Sequence, residues 1–106
     1  MKINYQLLFC TCPDSAIAEK LATDLVKQAL AACVNIVPGI QSIYCWQGAI
    51  EKQAEVLLLI KSTEDGYEKI AEFIKRHHPY ENPELIAIPF EKGLPDYLQW
   101  LASNVT

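Results

Sequence analysis

Five consecutive large aliphatic residues, Val56-Leu57-Leu58-Leu59-Ile60, sit inside an extended stretch and leave it no polar face. Successive side chains of a strand point to opposite sides, so a sheet built on this segment is apolar above and below. The segment is one arm of a hairpin. Cys33 to Trp46 and Ile50 to Ser62 read as two long strands joined by a turn at Gln47-Gly48-Ala49. Pro38-Gly39 interrupts the first arm with a pair that suits a bulge or bend. Each arm, at about 12 residues and 3.3 Å per residue, spans roughly 40 Å. The first strand, Ile3 to Cys10, is much shorter, so the tip with Tyr44, Trp46 and Ile50 must overhang the body.

The other elements follow in order. Asp14, after Pro13, is placed to cap a helix over Ser15 to Ala31, whose positions Ile17, Leu21, Leu25, Ala29 and Ala32 form an apolar stripe. Ser62 or Thr63 opens a second helix through Tyr67, Ile70, Ala71, Phe73 and Ile74 to the histidines His77 and His78. Leu85 to Phe90 is a short strand bounded by prolines, which reads as an edge. Pro95 begins a last helix packed through Tyr97, Leu98, Trp100 and Leu101. Strand-helix-strand-strand-helix-strand is the ferredoxin-like split βαβ order. The expected fold is therefore an α+β sandwich over residues 1–106, one domain, with an extended β-hairpin and a C-terminal helix. Two helices cover one face of such a sheet and the last helix only part of the other. The remaining apolar surface and the unpaired edges call for further copies of the chain.

Charge and composition remove several functions. A formal net charge of -4 argues against nucleic acid, which calls for clustered Lys and Arg. No apolar run approaches the roughly 20 residues of a membrane span. MKINYQLLFC enters a strand pattern directly, without the apolar core and cleavage site of a signal peptide, so the expected compartment is the cytoplasm. Cys10, Cys12, Cys33 and Cys45 fit it as free thiols. None is spaced C-x-x-C, and Cys10 and Cys12, two apart on one strand face, are too widely spaced for an easy disulfide.

The only two histidines are adjacent, in IKRHHPYENP. Neighbours on a helix point about 100° apart, so His77 and His78 cannot face one site while the helix stays regular. Pro79 pushes His78 toward extended geometry and frees its ring to turn differently. The pair reads either as the closing residues of a helix or as metal ligands awaiting a further donor.

Six segments carry a family resemblance: CTCPD at 10–14, LAACVN at 30–35, YCWQG at 44–48, EVLLLIKS at 55–62, HHPYENPE at 77–84 and DYLQWL at 96–101. Together, in order over about residues 3 to 102, they resemble the CutA divalent-cation-tolerance family. The resemblance implies a ferredoxin-like subunit in a tight homotrimer whose hairpins reach onto neighbours. It also implies a role in tolerance of divalent metals and copper as the bound ion. The implied ligands fall on Cys10, His77 and His78. Two positions depart from the family pattern. Cys12 stands where a small residue is frequent, and Phe73 where some members carry a helix cysteine.

A rival reading comes from the PII signalling proteins, which such trimers also resemble and whose inter-subunit clefts bind small anionic effectors. Glu55 and Lys61 differ by an even step and share a strand face with Leu57 and Leu59. They are either strand-end charges or, with Tyr44, Trp46 and Trp100, the lining of an inter-subunit pocket. Catalysis is not expected, because no Ser-His-Asp or paired-carboxylate pattern stands out and nothing in the spacing forces Cys10 against a histidine.

Overall fold

The computed structural model describes residues 2–106. Its strands are β1 (Tyr5–Cys12), β2 (Cys33–Trp46), β3 (Ala49–Thr63) and β4 (Ile86–Pro89), and its helices α1 (Ser15–Lys27), α2 (Tyr67–His77) and α3 (Pro95–Ser103). The sheet order is β2-β3-β1-β4 and every neighbouring pair is antiparallel. β1 and β2 therefore run parallel with β3 between them, the split βαβ arrangement. Among the described residues no helix is long and apolar enough to cross a membrane.

The alternation along β1 decides what the sheet covers. Gln6, Leu8, Cys10 and Cys12 are buried while the odd positions are half-buried. Their partners on β3 are Ser62, Ile60, Leu58 and Val56, also buried. This face packs against Ala18, Leu21 and Leu25 of α1 and Ile70, Phe73 and Ile74 of α2. The opposite face carries Leu7, Phe9, Leu57, Leu59 and Lys61, and α3 covers part of it, with the Lys61 Nζ 5.8 Å from the Tyr97 ring centre. Beyond α3 the face stays open: Ile86 and Ile88 are 54% and 45% exposed.

The hairpin overhangs as its length requires. Gln47 (φ 50°) and Gly48 (φ 82°) form a two-residue turn between the paired Trp46 and Ala49. Positive φ at both centres is the turn whose twist matches that of the strands. Gly39 (φ 77°) lies in the register shift between Val37 and Ile40. The molecule is 48 Å long with a radius of gyration of 14.5 Å. A compact chain of this length would have about 13 Å.

Element ends differ from the sequence reading at several places, among them β3, which starts at Ala49, and β4, which is trimmed to Ile86–Pro89. α1 stops at Lys27, because Ala29 turns left-handed (φ 56°) and the Leu30 and Ala31 N–H groups both donate to the Leu25 carbonyl. Helix propensity in Ala29–Ala31 yields to a tether, the Ser62 hydroxyl donating to the Leu30 carbonyl at 2.7 Å. Thr63 stays in β3 opposite Tyr5, so a 3₁₀ turn, Glu64–Gly66, precedes α2. β1 begins later than expected and runs on through Cys12.

Leu58 is fully buried at the centre of the helix-covered face. Leu58→Ala should cost about 2–5 kcal/mol by lost burial plus the cavity left. Val26→Ala on the 44% exposed side of α1 should cost under about 1 kcal/mol. Equal midpoints for the two variants in denaturant unfolding would contradict this assignment of the core.

Candidate functional site

Cys10 and Cys12 share the helix-covered face at the end of β1, and His78 leaves the end of α2 directly against them. The two thiol sulfurs and a ring nitrogen of His78 all lie within 4.8 Å of one another. Pro79 accounts for the placement: His78 has extended backbone (φ -76°, ψ 139°) while its N–H still closes the helix on the Ile74 carbonyl. His77, one residue earlier, is exposed on α2 with its ring 4.5 Å from that of Phe73. Of the residues the family resemblance brought forward, Cys10 and His78 meet and His77 stands apart. Cys12 joins them.

Hydrogen bonds fix the state of the His78 ring. Nε2 lies 2.7 Å from the Thr11 carbonyl oxygen, which can only accept, so Nε2 carries the proton and donates. Nδ1 lies 3.1 Å from the Tyr80 N–H, which can only donate, so Nδ1 presents its lone pair. Only the neutral Nε2–H tautomer serves both partners. Tyr80 also stacks on the imidazole, ring centres 4.8 Å apart, and its hydroxyl donates to Glu55 at 2.6 Å. Burial first, then that carboxylate, raises the Tyr80 phenol above its ordinary value.

The two thiols are not equivalent. The neighbouring Cys10 thiol holds Cys12 below the ordinary thiol range. The same contact, with burial and the nearby charge of Cys12, Glu84 and Glu55, pushes Cys10 far above it. Cys12 is the more acidic thiol of the pair, and the Cys10 thiol donates to the Thr11 carbonyl at 3.9 Å. Cys33 is half-buried and Cys45 exposed, and all four cysteines are free.

The donor set suits a soft or borderline metal. Two sulfurs and an imidazole match copper and zinc, whereas magnesium and calcium require oxygen cages. Metal–ligand bonds of about 2.0–2.3 Å need donors about 3.5–4 Å apart, so the cluster would close by up to about 1 Å around an ion.

A groove of about 880 Å³ opens on the other side of the sheet, lined by Tyr44, Trp46, Glu55 and Tyr80 together with Glu51, Glu81 and Glu84. Among the described residues no Lys, Arg or His lines it. Glu55 is only 7% exposed, and its partner is the Tyr80 hydroxyl. Lys61 and Trp100 are not part of this groove. Six residues of strand put Lys61 roughly 20 Å from Glu55, and Trp100 packs against Tyr97, ring centres 5.7 Å apart.

The family model described as CutA1 divalent ion tolerance protein matches residues 6–104. The chain belongs to the CutA1 family. It is 43% identical over 102 residues to the divalent-cation tolerance protein CutA of Yersinia pestis, covering 96% of this chain and 86% of that one. The fold is that of the divalent cation tolerance protein from Thermus thermophilus, with a TM-score of 0.94 at 43% identity over 96% of this chain and 99% of the other. It is also that of the periplasmic divalent cation tolerance protein CutA from Archaeoglobus fulgidus, with a TM-score of 0.93 at 34% identity over 96% and 99%. The thiol–imidazole cluster and the groove both lie within the CutA1 match.

Two residues of the site carry weak sequence signals. Cys12 has the strand parity of Cys10, which places both on one face. Tyr80 lies in an irregular loop, where no periodicity points to it. The thiol assignment makes a prediction. In a Cys33→Ser, Cys45→Ser background, thiolate absorbance should reveal one thiol ionising below the ordinary value of 9.0. Cys10→Ala should return that step toward 9.0. A pair with both steps above that value would contradict it.

Proposed function

We propose that this chain is a cytoplasmic, trimeric CutA1 protein that acts in the response to divalent transition metals by binding copper through Cys10, Cys12 and His78. The carrying observation is the buried cluster of two thiols and one imidazole in a chain of the divalent ion tolerance family. Sulfur and imidazole donors hold copper in either oxidation state and hold zinc less selectively. The depressed Cys12 thiol supplies a thiolate at little cost, and the metal itself enforces ionisation of Cys10. The cytoplasm is supported by four free thiols. Binding rather than catalysis is supported by the resting His78 ring, whose lone pair faces the Tyr80 N–H rather than a thiol.

The trimer is supported by the apolar surface that one chain leaves uncovered. Ile86 and Ile88 on the sheet, and Ile43, Ile50 and Trp46 on the overhanging hairpin, are 45% to 74% exposed. Light scattering should give three times 11.9 kDa. Leu57→Asp should dissociate the assembly, because it forces an unpaired charge into an apolar interface. A monomeric mass for the native chain would sink the trimer.

Calorimetric titration of copper, with each variant first shown to keep its assembly, tests the ligands. Cys12→Ser and His78→Ala should each weaken binding by at least about tenfold, the usual scale for losing a ligand or its support. His77→Ala should leave affinity unchanged. Loss of binding in His77→Ala with retention in His78→Ala would remove the buried cluster from the function. Because the thiols must ionise, affinity should fall as pH falls.

The groove favours a second reading, a PII-like small-molecule sensor. With carboxylates and aromatic rings along its wall and no cation, a guest there would be cationic or neutral rather than anionic. Thermal shift against copper and a panel of small amines separates the two readings.

A further inference from the structure

We infer that metal coordination by His78 is coupled to the groove on the opposite side of the sheet through Tyr80 and Glu55. The inference rests on the metal reading above and concerns what loading does to the rest of the chain. The His78 ring has one lone pair, on Nδ1, and the Tyr80 N–H occupies it. A metal can reach the ring in two ways. Bound at Nδ1, it takes that lone pair directly. Bound at Nε2, it displaces the proton now given to the Thr11 carbonyl, and a neutral ring must then carry its proton on Nδ1, facing the Tyr80 N–H. Both routes deprive the Tyr80 amide of its acceptor.

Tyr80 is held at three points: its amide on Nδ1, its ring on the imidazole, and its hydroxyl on Glu55. The first two are contacts with His78 itself. Any movement of the ring to close on an ion disturbs both. The third contact then loses its support. Glu55, a carboxylate 7% exposed in this state, would be released to a groove that Tyr80 also lines. The metal-free chain thus holds Tyr80 down over Glu55, and the loaded chain frees both groups. By linkage, whatever holds Tyr80 in the metal-free state opposes loading, so weakening that hold tightens metal binding.

The test uses the full-length chain and Ag(I), a soft, redox-inert, diamagnetic probe of thiolate sites, added alone. Thiolate-to-metal absorbance reports loading, and amide hydrogen exchange by NMR reports Tyr80. At one Ag(I) per chain the Tyr80 amide should exchange about fivefold faster or more, the effect of losing one ordinary hydrogen bond. The Leu58 amide in the middle of the sheet should not change. Tyr80→Phe, which lacks the hydroxyl that grips Glu55, should bind Ag(I) about threefold tighter than wild type. A residue with a merely structural role would weaken binding or leave it alone. If the absorbance appears while the Tyr80 amide and the Tyr80→Phe affinity stay at their wild-type, metal-free values, the coupling is wrong and the metal site stands. If no thiolate absorbance appears at all, the metal reading has failed and the coupling falls with it.

Discussion

The strict alternation of β1, locked between β3 and β4, underlies the rest of the molecule. Because Leu8 pairs with Ile60, Cys10 with Leu58 and Cys12 with Val56, both cysteines are committed to the helix-covered face. Asp14 then starts α1 at once, its carboxylate accepting from the Ile17 N–H at 2.9 Å, so Cys12 lies at the rim of the core. The returning α2 delivers His78 to the same rim, where the Thr11 carbonyl between the two cysteines receives the imidazole. A slip of one residue in β1 would send both thiols to the other face and leave His78 without a partner. Reduced cysteine packs as a small hydrophobe, so the apolar contacts around Cys10 and Cys12 do not depend on an ion. That distinguishes the arrangement from small zinc domains, whose cores depend on the ion.

The two faces of the sheet therefore have separate roles. One is closed by α1 and α2 and holds the thiols and imidazole in a buried site. The other keeps Leu57, Leu59, Ile86 and Ile88 for surfaces that α3 does not reach, and it carries the acidic, aromatic groove. Tyr80 bridges them. It leaves the α2 end beside His78 and reaches Glu55 on the hairpin.

Much of this was legible in the residues. The apolar run 56–60 and the Gln47-Gly48 pair defined the long hairpin, because strand period and turn chemistry are local properties. The inequivalence of His77 and His78 followed from helix geometry and Pro79. Which histidine faces the thiols was not legible, since it depends on how α2 docks on β1. Cys12 shared the parity of Cys10, yet parity alone cannot tell a ligand from a core residue. Tyr80 left no periodic trace because it acts from a loop. Glu55 and Lys61 share a strand face, but six residues of strand part them, and only Glu55 reaches the groove with Tyr44 and Trp46. The helix stripe ran past Lys27 because the Ser62–Leu30 tether, a contact between distant segments, ends α1 early.

X-ray absorption at the copper edge of the loaded protein tests the central claim, that the buried Cys10–Cys12–His78 cluster is the metal site. The account predicts a first shell dominated by two sulfurs at about 2.2–2.3 Å with one imidazole nitrogen, falling to a single sulfur in Cys12→Ser. A shell of nitrogen and oxygen alone, unchanged in that variant, would contradict it.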